Sequence, residues 1–140
     1  MGIHFFYDHT TFQLRKGKPI KEWVKNVVSG FGKEVGEINI IFVGKQKIQE
    51  INEQFLKHFY PTDIITFNDN QDNTINGELY ICPEVVKENA VHYKEFFYIE
   101  IRRVIIHGIL HLLGHDDTTS GEADKMRDLE NSALNTFPKE

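Results

Sequence analysis

The stretch FFYIEIRRVIIHGILHLLGHDD, residues 96–117, decides how this chain is read. From Phe96 to Leu113 it is long and apolar, too long for a strand, and predicts a buried central helix. Its most apolar part, Val104 to Gly114, falls well short of the roughly 20 residues that a membrane span needs. His107 and His111 stand four apart, so on a helix they share a face about one turn apart. Two imidazoles so placed can converge on one ion at the roughly 2.0–2.1 Å of a zinc–nitrogen bond. His115 cannot extend that ladder, because eight helical residues advance about 12 Å. A third ligand requires the helix to stop and the chain to fold back. Gly114 supplies the stop, since it takes a left-handed C-cap without a Cβ clash. His115, Asp116 and Asp117 follow as the side chains available to return.

Two imidazoles plus a carboxylate leave one tetrahedral position open, which is the pattern of catalytic zinc. An isolated H-x-x-x-H pair is ordinarily two helix histidines and nothing more. Here both lie in an apolar helix, where unpartnered imidazoles cost free energy, and acidic residues follow the glycine stop. The residue after His107 is Gly108, where zinc peptidases of the H-E-x-x-H type carry their glutamate base. That weakens a peptidase assignment, and a glycine there is expected to leave open space beside the metal.

Outward from this helix, residues 3–7, 37–43, 63–68 and 77–82 read as strands, with the polar NDNQDNTING of residues 68–77 as the connection between the last two. Helices are predicted from Pro19 to about Phe31, closed by Gly32; from Gln46 to about His58, with Ile48, Ile51 and Phe55 on one face; and from Pro83 to about Lys94. A final amphipathic helix spans 119–135, with Ser120 as a candidate cap. The fold class that follows is α+β: one domain over residues 1–140, with a small, mostly antiparallel or mixed sheet of about four strands. One layer of sheet packs against helices, and the metal site sits at the end of the central helix.

Composition agrees. The chain has 140 residues, 40% of them hydrophobic, with eleven Phe, five Tyr and one Trp, which excludes a disordered chain. Cys82 is the one cysteine, so there is no disulfide framework and a reduced compartment fits. The N-terminus lacks a basic segment followed by a small-residue cleavage site, so a cytoplasmic protein away from membranes is expected. Net charge is −5, against a broad nucleic-acid-coating surface. A basic strip at Arg15, Lys16, Lys18, Lys21 and Lys25 reads as a solvated helix face and its approach loop.

HGILHLLGHDD, PTDIITF and NGELYICPEVV, in this order over roughly residues 48–130, resemble the YbeY family of metal-dependent endoribonucleases, which act in ribosomal RNA maturation and ribosome quality control. The resemblance implies one zinc ion per chain, or another divalent transition metal, held by His107, His111 and a third ligand at Asp117, where the family has histidine. His115 is the alternative, standing where the family usually has tyrosine. Asp117 makes the site one unit more negative than three imidazoles would, which bears on the choice of metal. By the same resemblance Asn52, Asp63 and Glu122 are candidates for the catalytic group, with Thr62 beside Asp63 orienting groups near the metal. Glu122 is also readable as a solvated helix glutamate, Thr62–Asp63 as plain turn chemistry, and Cys82 as a small buried residue.

One departure is pointed. The family commonly has arginine where this chain has Leu56, so positive charge for phosphoryl transfer has to come from Lys57, His58, Arg102 or Arg103. The function implied is a single-strand-specific, zinc-dependent endoribonuclease for the 3′ end of small-subunit ribosomal RNA. Its partners would be single-stranded RNA and the small ribosomal subunit, with no DNA and no membrane. Phe59, Tyr60 and Phe67 are candidates to stack on bases, although Phe67 is equally a core residue. Two rivals remain: a different metal-dependent hydrolase such as a peptidase, and a ribosome-associated module with a structural metal.

Overall fold

Residues 34–43, EVGEINIIFV, alternate as a strand with two different faces: Ile38, Ile40 and Phe42 are fully buried, while Glu34 and Glu37 are exposed. This is β2 (Glu34–Val43) of a computed structural model that describes residues 2–56 and 62–138. In chain order the elements are β1 (Gly2–Asp8), α1 (Gly17–Gly30), β2, α2 (Lys45–Leu56), β3 (Ile64–Asn68), β4 (Thr74–Ile81), α3 (Pro83–His92), α4 (Phe97–Leu112) and α5 (Ser120–Asn135). The sheet order is β1-β2-β4-β3, with β1–β2 and β2–β4 parallel and β3–β4 antiparallel. The sheet is therefore mixed, and parallel pairing predominates over the antiparallel alternative. The α1 crossover returns the chain to the same end of the sheet, whereas the short link before β4 can only make a hairpin.

Most helices lie on one face. Ile20, Trp23, Val24 and Val28 of α1 and Ile101, Val104, Ile105 and Ile109 of α4 share a core with Ile38, Ile40, Phe42, Leu79 and Ile81. The expected single layer of helices is not the whole picture. Ile48 and Ile51 of α2 pack with Val43, Ile65 and Cys82 in a second cluster, on the opposite sheet face near β3. Trp23 Nε1 donates to the Ala133 carbonyl at 2.8 Å and ties α5 to α1.

β2 and β4 each start three residues earlier than the sequence predicts. Glu34 and Val35 pair with Thr74 and Ile75 before a register shift, so part of the polar connection belongs to β4. Asn76 makes this workable, its Oδ1 accepting from the Glu37 amide at 2.7 Å across the irregularity.

The central helix ends as its glycine predicts. Gly114 takes φ +96°, its amide donates to the His111 carbonyl and the His115 amide to that of Leu110, both at 3.0 Å. That is a Schellman stop. Asn70 Nδ2 also donates to the Leu112 carbonyl at 2.6 Å, anchoring the helix end to the β3–β4 link. The next helix begins with Thr119, not Ser120, as its N-cap: Thr119 Oγ1 accepts from the Glu122 amide at 3.1 Å, and the Glu122 carboxylate accepts from the Thr119 amide at 3.1 Å. This reciprocal box satisfies two orphan donors and fixes where α5 starts. Residues 115–118 are thus a short link pinned at both ends.

Candidate metal centre

His107 and His111 leave α4 on one face, and their Nε2 atoms lie 3.0 Å apart. The pinned link carries Asp117 back to them, with Oδ2 at 3.3 Å from His107 Nε2 and 3.7 Å from His111 Nε2. In a tetrahedral site with bonds of 2.0–2.1 Å the ligand atoms stand about 3.3 Å from one another. The three edges of this triangle bracket that figure, so the donor set fits one small divalent cation. No fourth His, Cys, Asp or Glu joins the group among the described residues.

His115, the alternative third ligand, is placed elsewhere. Its amide is used in the helix stop, and its ring packs edge-on against Phe31 at 5.4 Å between centroids. Gly108 also differs from expectation. A Cβ there would lie 2.1 Å from Leu79 Cδ2 and 2.8 Å from Ile64 Cδ1. The glycine lets α4 approach the sheet closely; it does not leave space for substrate, and no glutamate fits in its place.

Glu130 is the residue that the sequence analysis missed. It sits on the buried stripe of α5 with Met126 and Ala133, only 5% exposed, and accepts at Oε2 from His107 Nδ1 at 2.6 Å. Arg103 Nη1 donates to Glu130 Oε1 at 3.0 Å and Nη2 to Asn131 Oδ1 at 2.8 Å. A carboxylate on an otherwise apolar helix stripe was the signal that could have revealed it. Holding the proton on Nδ1 leaves Nε2 as the free lone pair that faces the triad. Burial works against the charged forms of both partners, but their mutual bond, with Arg103 and Asp117 beside them, prevails: His107 is raised and Glu130 lowered from their usual values. His111 is lowered by burial and by the charge of His107.

The residues matched by family position separate. Asp63 lies beside the triad, half-buried, its carboxylate accepting from Asn89 Nδ2 and Thr62 Oγ1 at 3.4 Å each. Burial pushes its carboxyl up, only partly offset by His107. Asn52 is buried on α2, and Glu122 is spent on the α5 cap, so neither lines the cavities around the triad. Cys82 is fully buried, with its thiol pushed up by desolvation, and has no nucleophilic character. Phe67 packs on Phe55 and Tyr80. Lys57, His58, Phe59 and Tyr60 lie outside the described residues. Of the two arginines expected to supply charge, Arg102 sits over the Phe137 ring at 3.9 Å and lines a different cavity, and Arg103 is engaged by Glu130.

Two open cavities meet at the triad. One, of about 450 Å3, runs along β3 past Leu56, Thr62 and Asn68. The other, of about 240 Å3, lies between α3, α4 and α5. Fold and site together define the class: a small α+β protein whose two imidazoles and one carboxylate frame a cation site at the wall of an open cleft.

A family model described as endoribonuclease YbeY matches residues 6–138. The endoribonuclease YbeY of Parabacteroides distasonis is 40% identical over 140 residues, covering 100% of this chain and 99% of that protein. That of Bacteroides thetaiotaomicron is 44% identical over 119 residues, covering 85% and 87%. A solution structure of a Thermotoga maritima protein superposes with a TM-score of 0.67 at 30% identity, covering 94% of this chain and 86% of that one. The chain belongs to the endoribonuclease YbeY family.

Proposed function

We propose that this chain is a zinc-dependent endoribonuclease that cuts single-stranded RNA in the cytoplasm, maturing the 3′ end of small-subunit ribosomal RNA and serving ribosome quality control. Family membership makes it a hydrolase of phosphodiester bonds. The observation that carries the metal dependence is the triangle of His107, His111 and Asp117, with edges that suit one tetrahedral cation on the wall of a cleft. A divalent cation held there by His107, His111 and Asp117 would supply Lewis-acid chemistry toward a phosphodiester. Asp117 as a hard oxygen donor also admits other divalent transition metals.

The chain's own groups do the rest. Glu130 fixes the His107 tautomer and Arg103 holds Glu130. Asp63, raised by burial, is suited to take a proton at a carboxylate oxygen from the attacking water and return one to the leaving oxygen. The single strand is placed in the open cleft along β3, which is lined by Thr62, Ile64, Thr66 and Asn68 and reaches His107, His111 and Asp117. A peptidase is disfavoured because Gly108 is locked against Leu79 and Ile64, and a structural metal because, among the described residues, three protein ligands leave one position open.

The test is elemental analysis of the purified protein together with RNA cleavage before and after chelation and metal return. Wild type is expected to hold one metal per chain and to lose and regain cleavage. Asp117→Ala loses the metal, His115→Ala keeps it, and Asp63→Asn keeps it while cleavage falls by about 10²-fold or more. Cleavage that persists without metal, or metal loss on removing His115 instead of Asp117, refutes the assignment.

A further inference from the structure

The two cavities at the triad are unequally furnished. Among the described residues, the cleft along β3 contains no lysine or arginine. The cavity between α3, α4 and α5 shares Asp63, His107 and Asp117 with that cleft and adds Tyr93, Arg103 and Arg127. Arg103 is committed to Glu130 and Asn131. Arg127 makes no ion pair or hydrogen bond with any described residue, and it senses Glu100 only as a nearby charge. Tyr93 closes α3 with 60% of its surface exposed, one ring edge against His92 at 5.0 Å.

The carboxylates of this cavity do not defeat an anion. Glu130 is paired with Arg103 and His107, Glu100 lies 4.0 Å from Arg103 Nε, Asp117 faces the two histidines, and Asp63 accepts from Thr62 and Asn89. What remains is an unpaired guanidinium and an exposed aromatic ring lining a space floored by metal ligands. A nucleotide has the complementary parts: a phosphate for the guanidinium and a base for the ring.

We infer that the cavity between α3, α4 and α5 is a nucleotide subsite, in which Arg127 binds the phosphate next to the one cleaved and Tyr93 stacks on the adjoining base. This rests on the nuclease assignment of the metal centre. It places one flank of the RNA strand on the helical side of the triad and the other along β3.

The experiment measures steady-state cleavage of a short single-stranded RNA oligonucleotide by the metal-loaded protein as a function of salt, and binding of the same RNA by fluorescence anisotropy. Arg127→Ala is expected to raise KM and the dissociation constant about tenfold and to flatten the plot of log affinity against log salt by about 0.7, the loss of one phosphate contact on a single strand. Tyr93→Ala is expected to raise both constants about tenfold with the salt slope unchanged, while Tyr93→Phe behaves as wild type because stacking needs the ring and not the hydroxyl. Metal content stays at the wild-type level in all three. Lys125→Ala, on the same helix and outside both cavities, serves as the control for loss of a surface charge. Wild-type constants and slope in Arg127→Ala, or equal losses in Tyr93→Ala and Tyr93→Phe, overturn the subsite. If wild type binds RNA but does not cleave it, the nuclease assignment fails by itself, and the anisotropy series still decides whether Arg127 and Tyr93 hold the strand.

Discussion

At the residue scale the informative contact is the 2.6 Å bond between His107 and Glu130. It does two jobs. With metal present it keeps Nε2 unprotonated toward the cation, and replacing such an outer carboxylate typically costs 10–100-fold in metal affinity. Glu130→Gln is therefore expected to weaken zinc binding by about that factor, read by competition with a chelating dye. Without metal the bond is a buried ion pair, and its worth depends on pH. Glu130 is lowered below its ordinary 4.5, so its share is present above that value and lost as pH falls through the folded value. His107 is raised above its ordinary 6.5, so its share is complete below 6.5 and lost as pH rises through the folded value. The stability gap between metal-free wild type and Glu130→Gln should peak between these limits, at about 2 kcal/mol, and narrow on both sides. Urea midpoints from pH 3 to 9 measure it; a gap independent of pH would mean that the pair is not ionic.

Among the elements, α4 and the link that follows it determine the site. The helix is buried along most of its length and crosses β3 and β4 closely enough that Gly108 has no room for a methyl group. Gly108→Ala pits an overpacking cost of about 1–3 kcal/mol against a helix-propensity gain of about 1 kcal/mol. A net loss of about 1–2 kcal/mol is expected in chemical denaturation, with metal content falling as α4 shifts. Unchanged stability would mean that Leu79 and Ile64 yield freely. The link after α4 is held by a glycine stop at one end and by the Thr119–Glu122 box at the other. Glu122 thus serves Asp117 through geometry: it fixes where α5 begins, and so how far the link can swing.

Over the whole molecule, a net charge of −5 provides no general attraction for RNA. The two arginines at the site are partly spent, since Arg103 is bound to Glu130, and the basic strip lies on and before α1. RNA affinity should accordingly depend only weakly on ionic strength. A slope of about −1 to −2 in log affinity against log salt corresponds to two or three phosphate contacts on a single strand. Anisotropy titrations across a range of potassium chloride test this, and a slope steeper than about −4 would require a broad basic surface that the described residues do not form.

Much of this was written in local order. The spacing of His107 and His111 on an apolar helix, the glycine stop and the acidic residues beyond it follow from periodicity and from the one residue type that accepts a left-handed backbone, so they can be read in one dimension. The same holds for the number of strands and for most helix limits, because burial on one side imposes a period on the sequence. Tertiary packing decided what depends on partners far apart along the chain: that Asp117 and not His115 turns to the histidines, that Gly108 serves close packing, that α2 covers the second face, and that parallel pairing dominates the sheet. Glu130 joins His107 across 23 residues, and Tyr93, Arg103 and Arg127 meet from three helices. Such contacts leave no period in the sequence, since what selects them is the way the helices stack on the sheet.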